Sequence, residues 1–578
     1  MDFFVLKKKG RKKMKEKKYL VLGIALVLLT FVGVSLAYFL TTIEGDRKNI
    51  TINTADLRVI FKNGDAIEGT EIEPGWSVTK TFSVENKTKN EYKYNIVIED
   101  LVNTFRTTGY LQYKITSTDG GYNMDGFKDV PKSLNPTNTG LAFNITIPSK
   151  STQNYTITIQ YRNDENVDQS KDALSNAVVT GKLYISEGSN PTLTYAILRD
   201  NPTISERTDF SVTNTSTTTG TIYQTDKTED GSTVYYYSGN TTNNWVKFGK
   251  YQNDLIKYRG YYSSSSTSYE EYNTMDECTS ATSYNINCTE QKYASAGDDM
   301  YWRIIRTNED GSLRLLYSGI SPDTTSGSIG LSLFNSSYNN PMYVGYMYGT
   351  TGSLANNRTN TNDSTIKTFI DKWYEDTLLT NYDKYISKTA IYCNDRSVAE
   401  NNYTTSSSGY FRYGSDSRLN IDYNHLPVPT YKCGGNGNSG LFESAQALAD
   451  KFSASTENGG NGQLTYPIAL MTADEIAFAG GEVVTNLSSP YAWYCTNSQG
   501  ESIAGNYWWS LSPSNWNGNR ANMWGVGGSG SLGRLYDSYV HIDRGIRPSL
   551  SLSSCVKILS GNGTPESPYE IDYESSCK

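Results

Sequence analysis

Histidine is almost missing from this chain: its 578 residues hold two, His425 and His541. The commonest general base and metal ligand is therefore absent from nearly every position. His425 stands in the loop-like stretch Asp422-Tyr-Asn-His-Leu-Pro, where a structural role is expected. The seven cysteines (278, 288, 393, 433, 495, 555 and 577) include no CxxC pair, which argues against structural zinc. No Gly-rich loop follows a strand to cradle phosphate, no nucleophile elbow occurs, and no local carboxylate pair marks a glycosidase. The acidic turns at 163–168 and 226–230 could offer oxygens to Ca2+, but neither has the twelve-residue spacing of an EF-hand, so both read as solvated turns. The chain is expected to be no enzyme and to carry no metal or other cofactor.

Charge is also scarce, at 19% of residues, and unevenly placed. The whole chain carries −8 and residues 1–18 carry +7, from nine Lys/Arg against Asp2 and Glu16, which leaves −15 on the rest. A body that acidic lacks the basic footprint of a nucleic-acid binder. The basic cluster leads into YLVLGIALVLLTFVGVSLAYFL at 19–40, 22 residues without a charge. That run is long enough to span a bilayer as a helix, and the basic flank holds the N-terminus on the cytoplasmic side. It is equally the layout of a signal peptide, with Ser35-Leu36-Ala37 as the small-x-small site and Ala37 the cleavage position. A cleaved signal and a retained membrane anchor both fit these residues. Export follows either way, with the bulk of the chain extracellular, anchored at the cell surface or secreted.

What the chain has in quantity is tyrosine, 46 residues, among Ser, Thr, Asn and Gly. That mixture suits pleated, half-wet strands better than helices. The expectation is a mainly β protein with an α+β C-terminal domain. Over 45–188 the period is two: Leu57/Val59/Phe61, Val78/Phe82/Val84, Tyr92/Tyr94/Ile96/Ile98, Leu141/Phe143/Ile145/Ile147 and Tyr155/Ile157/Ile159/Tyr161 alternate with polar residues. Turn residues such as Asn63-Gly64-Asp65 and Pro74-Gly75 bound these runs. They predict an antiparallel β-sandwich with one wet face per sheet. AYFLTT after the apolar run, then TADLRVIF and EIEPGWSVTKTFSVENKTKNEYKYNIVIEDL, resemble the TasA/camelysin family of exported surface and biofilm-fibre proteins. The resemblance covers about 20–190. It implies an immunoglobulin-like or jelly-roll sandwich, a mature start near Tyr38 and a capacity for fibre assembly. Such fibre proteins usually stop after the sandwich, whereas this chain continues, which casts the sandwich as a stalk or adaptor.

Residues 189–232 are Thr/Ser/Asn-rich with little periodicity and read as a linker with short strands. A second domain is expected over 233–556, with a polar, Tyr/Ser-rich insertion at 255–298 and a C-terminal tail at 557–578. Asp310-Gly311 between Tyr301-Trp-Arg-Ile-Ile-Arg and Leu313-Arg-Leu-Leu-Tyr predicts a hairpin. Ile366, Phe369, Ile370 and Trp373 after Asp363/Ser364 predict a capped helix, Thr472-Ala-Asp-Glu475 before Gly480-Gly481 another, and Ser444–Phe452 a third. YPIALMTADEIAFAGG, WWSLSPS and GIRPSLSL, with YWRIIRTNEDGSLRLLYSG as opening hairpin, resemble a C-type-lectin-like domain of the formylglycine-generating-enzyme-like kind found on bacterial surfaces. That enzyme's reactive cysteine pair has no convincing match, and the Glu-Pro-Asn or Gln-Pro-Asp calcium-sugar motif of animal lectins is absent. Similar folds are the variable proteins of diversity-generating retroelements. There, mutated template adenines turn asparagine codons into others just before a closing Gly-[Ile/Val]-Arg-Pro strand. Gly525–Gly545 contains no Lys, Glu, Gln, Met or Trp, the residues such codons cannot encode. An ordinary Gly-rich loop and strand fits the same stretch.

Trp508-Trp509 read as core. Rigid aromatics among Ser, Gly and Asn compose paratope-like surfaces, so the ligand-binding candidates are Trp516, Asn517, Asn519, Trp524, Arg534, Tyr536, Asp537, Tyr539, His541 and Asp543. Cys278/Cys288, Cys393/Cys433 and Cys555/Cys577 are placed to close loops, leaving Cys495 over, although spacing alone does not decide connectivity. The combined expectation is a bacterial cell-surface ligand-binding or adhesion protein. Its partner would be a protein or glycan on another cell or the matrix, with the membrane as a further partner if the N-terminal helix stays. The alternative is a structural fibre or matrix subunit that self-assembles.

Overall fold

Alternating runs and turn residues dominate the sequence, and the chain folds into strands far more than helices. The computed structural model describes residues 40–44, 50–54, 57–63, 67–69, 72–107, 109–131, 133–170, 172, 177–262, 269–281, 287–400, 403–420, 426–434, 450–455, 462–483, 492–503, 507–528 and 532–577. The basic segment, most of the apolar run, Ala37 and His425 lie outside them. Among the described residues no helix is long and apolar enough to cross a membrane. The chain divides into two units, Met1–Ser189 and Asn190–Lys578.

The first unit is built from two sheets. One orders Ile67–Gly69, Leu40–Glu44, Val178–Glu187, Tyr92–Asn103 and Ser133–Ile147. The other orders Ile50–Thr54, Leu57–Asn63, Ser77–Asn86, Ser151–Tyr161, Leu111–Ser117 and Lys128–Asp129. Alternation puts Val84, Ile115, Ile157 and Ile159 from one sheet into a shared core with Tyr94, Ile96, Leu183 and Ile185 from the other. Across the core the Tyr94 hydroxyl donates to Gln153 Oε1 at 2.8 Å, so its buried oxygen keeps a partner. Val78 is only partly buried against this core. Phe143, expected in it, is half-buried instead. Asn144 adopts φ +55° and the pairing with Tyr92–Asn103 shifts between Tyr94 and Ile96, so a bulge turns Phe143 off the inner face.

The second unit takes in more chain than 233–556. The stretch read as a linker begins with helix Leu193–Asp200, capped by Thr192 Oγ1 accepting from Tyr195 N at 3.2 Å. Thr203–Ser205 and Thr221–Thr225 then extend the main sheet. The supposed tail adds Ile558–Ser560 and Tyr569–Ile571, the latter pairing in parallel with Trp245–Lys250. Neither segment shows a long period because each supplies only a short element whose apolar residues (Leu193, Ile197, Ile558, Tyr569) complete a core made elsewhere. The hairpin joins Asp299–Thr307 to Leu313–Tyr317, with Gly311 at φ +75°, where a side chain would be strained. Pro548–Leu552 is buried between Leu313–Tyr317 and Ile468–Leu470.

Helix Thr365–Thr377 has Ser364 as cap and buries Ile366, Ile370 and Trp373, while Phe369 is half-buried. Helix Ala473–Ala479 carries the capping box of Thr472 and Glu475 and ends at Gly480, φ +124°. The third expected helix is not formed where it is described. Asp450–Ser453 is a strand paired with Tyr392–Asn394, and its Asp450 carboxylate is held by the buried Arg396 and Arg358. Disulfides join Cys278 to Cys288, Cys393 to Cys433 and Cys555 to Cys577, and Cys495 is free and buried. Three disulfides agree with an oxidising, extracellular setting.

Candidate functional site

The insertion folds as its own three-stranded sheet, Tyr269–Tyr272, Leu255–Tyr261 and Asn287–Ala294, closed by the Cys278–Cys288 bridge. Ala294 and Leu255 join it to the main core, Lys257 lies over the Phe369 ring, and one carboxylate fixes its edge. Glu271, almost sealed from solvent, accepts from Arg259 Nε at 2.9 Å, the Tyr293 hydroxyl at 2.6 Å and Leu331 N at 2.9 Å. Charge-assisted bonds of this kind hold a defined geometry. Leu331–Ser332 in turn pairs with Arg544–Gly545, and Gly545 lies opposite Trp508. The insertion is thereby registered against Tyr507 and the segment His541–Arg544.

Between these elements runs a groove of about 740 Å³. Tyr262, Tyr269 and Tyr293 line it from the insertion; Tyr507, His541, Asp543 and Arg544 line it from the opposite side. Arg259 lies 4.3 Å over the Tyr269 ring, and Arg544 lies 5.0 Å over Tyr507. Glu270 accepts from the Tyr272 hydroxyl at 2.8 Å and from that of Tyr262 at 3.4 Å. Burial, then the nearby charges of Glu270 and Glu271, push the Asp543 carboxyl up to about 6. Burial and then Arg520 push His541 down, so its ring is neutral at pH 7. The result is a wall of tyrosines, Tyr269 and Tyr507 braced by arginines and the Tyr262 and Tyr293 hydroxyls donating to glutamates, with two carboxylates and two guanidinium groups. Such a surface stacks on and hydrogen-bonds a ligand. Among the described residues no group of three or more His, Cys, Asp or Glu could hold a metal ion.

The ten sequence candidates divide. His541 and Asp543 line the groove, and Tyr536 stands behind it, its ring 4.5 Å from Tyr507. Asp537 and Tyr539 lie opposite Trp524 and Asn522 in the Ala521–Gly527/Leu535–Tyr539 hairpin, hence on the other face from Tyr536. There Arg520 lies 4.5 Å over Tyr539, and His541 packs 4.1 Å from Tyr338. Asn517 and Asn519 are exposed at the adjacent turn. Arg534 reaches away, Nε donating to Val483 O at 3.1 Å. Trp516 and Trp524 are not contact residues at all: they are 1% and 2% exposed, in the core with Trp508 and Trp509. Gly, Asn and Ser neighbours suggested a wet loop, but Tyr507–Trp516 and Ala521–Gly527 are inner strands of a seven-stranded sheet covered on both faces.

Sequence reasoning missed Arg259, Tyr262, Tyr269, Glu270, Tyr293, Tyr507 and Arg544. The available signal was the density of Tyr258, Tyr261, Tyr262, Tyr269, Tyr272 and Tyr293 around a short cysteine-closed loop. No family model, no curated protein and no solved structure matches this chain.

Proposed function

We propose that this is an exported bacterial surface protein that binds a ligand, a glycan or a protein, in the groove between the insertion and His541–Arg544. The sandwich unit serves as the adaptor between membrane attachment and the binding unit. One observation carries the reading: Tyr262, Tyr269, Tyr293 and Tyr507 converge with Glu270, Asp543, Arg259 and Arg544 on a groove of about 740 Å³. That volume lies within the roughly 300–1,000 Å³ of small-ligand sites. Arginine-braced tyrosines lose little freedom on binding, which favours adhesion by rigid contact residues. Deleting 515–544 would remove buried core strands, so the test is made with point variants. The full chain, its Tyr269→Ala variant and its Arg544→Ala variant are applied to a glycan array and to intact cells. Retention by the wild type and loss by both variants is expected. Retention unchanged in both overturns the groove, and concentration-dependent filaments with no retention favour the structural-subunit alternative.

A further inference from the structure

Arg303 and Arg547 are buried without a carboxylate. They are 3% and 0% exposed. By contrast Arg306, Arg396 and Arg418, equally buried, each meet a carboxylate: Glu475, Asp450, and Asp395 with Asp474. Arg303 Nε donates to Asn244 Oδ1 at 2.5 Å and Nη2 to Thr241 O at 3.1 Å, which leaves Nη1 without a protein acceptor. Its guanidinium carbon lies 4.2 Å from the Trp245 ring centre and 5.6 Å from that of Trp493. Burial is the largest influence against its charge, and the groups that act on it next are Arg547, the Cys495 thiol and the Tyr237 hydroxyl. Burial keeps the thiol and the hydroxyl neutral, and Arg547 is a like charge. Aromatic faces offset part of the cost of burying a cation; the charge itself stays uncompensated, and Nη1 stays open to an acceptor, until an anion meets them.

Arg303 also borders a pocket of about 330 Å³, and it is the one charged residue among the described residues that line it. Most of the others, including Thr241, Thr242, Thr496, Ser498 and Gln499, carry hydroxyl or amide groups, with Trp245 as an aromatic wall. A guanidinium matches the planar geometry of a carboxylate, sulfate or phosphate. We propose that this pocket binds an organic oxyanion of sugar size, a carboxylate or a phosphate or sulfate ester, with Arg303 as counter-charge. The site stands apart from the tyrosine groove and does not depend on it.

The test is calorimetric titration of the full chain with D-glucuronate, inorganic phosphate and D-glucose. Glucuronate and phosphate are expected to saturate one site per chain while glucose does not bind, and their relative affinity identifies the preferred oxyanion. Arg303→Lys keeps the charge but loses the fork. Ser498→Phe fills the half-buried rim without touching Arg303, and so keeps the test decisive if the arginine variant fails to fold. Each is expected to weaken anion binding by at least about tenfold, whereas Tyr269→Ala in the groove leaves it unchanged. Failure of both anions to saturate, glucose binding as tightly as glucuronate, or unchanged affinity in Ser498→Phe overturns the proposal. Loss of anion binding in Tyr269→Ala would move the anion to the groove and overturn it too.

Discussion

Arg544 holds its guanidinium carbon 5.0 Å from the centre of the Tyr507 ring while its Nε donates to the Tyr536 hydroxyl at 2.9 Å. Three strands that share one sheet thus meet in a single stack beside the groove. Cation–π and aromatic pairs each contribute roughly 0.5–1.5 kcal/mol beyond area burial. Arg544→Ala is predicted to lower stability by about 1–2 kcal/mol in urea unfolding. Arg544→Lys should recover only part of this, since an ammonium cannot reproduce the planar donor. An alanine variant as stable as the wild type would show that the stack contributes nothing.

Trp516 and Trp524 are predicted to behave as core. Replacing either with Ala should cost roughly 3–5 kcal/mol, because a large cavity opens in packed surroundings. Asn519→Ala, on the exposed turn between their strands, should stay within about 0.5 kcal/mol of wild type. Equal effects at Trp524 and Asn519 would return Trp524 to the surface.

The Asp543 carboxyl is raised from its ordinary value to about 6 by burial and by Glu270 and Glu271. A carboxyl with a raised folded value favours folding while protonated. Its contribution is present below the unfolded value near 4 and is lost as pH climbs to about 6. Asp416 is raised to about 6 mainly by burial and has the same sign, so it stays unaltered in the comparison. The melting temperature of Asp543→Asn minus that of wild type should therefore grow between about pH 4 and pH 7. A difference that is flat, or that shrinks, would remove the carboxylate cluster from the groove.

Cys495 is 2% exposed, and burial pushes its thiol up to about 12. Ellman titration of native protein is expected to find no reactive thiol. Guanidinium without reductant should release one per chain, because the other six cysteines are paired. Cys278→Ser with Cys288→Ser should loosen the insertion, raising its amide exchange while the strands around Leu315 and Leu550 stay protected. Two or more thiols on unfolding would contradict the pairing.

Local chemistry made several elements legible. Thr472 and Glu475 announce their helix because both partners of a capping box lie within one turn of sequence, and Asp310-Gly311 announces its hairpin for the same reason. Phe143 was misplaced because a bulge at Asn144 leaves no mark in a period-two pattern. The Leu193–Asp200 helix was overlooked because its two turns are held by distant core partners rather than by an extended period of their own.

The sequence by itself determined the strand-rich character and which cysteines stand near enough in the chain to close short loops, both of which rest on neighbours or on short spacings; which cysteines pair is a property of the folded chain. Tertiary structure alone decided which tyrosines face a groove and which tryptophans are sealed. Burial in a sheet depends on what covers each face: Trp524 lies inside a covered sheet, while Tyr269, some 255 residues earlier, reaches the groove beside Arg544. The physical reason is contact across distant sequence: Glu271, held by Arg259 and Tyr293 within the insertion, accepts from Leu331 N, while Ala294 and Leu255 pack with the main core.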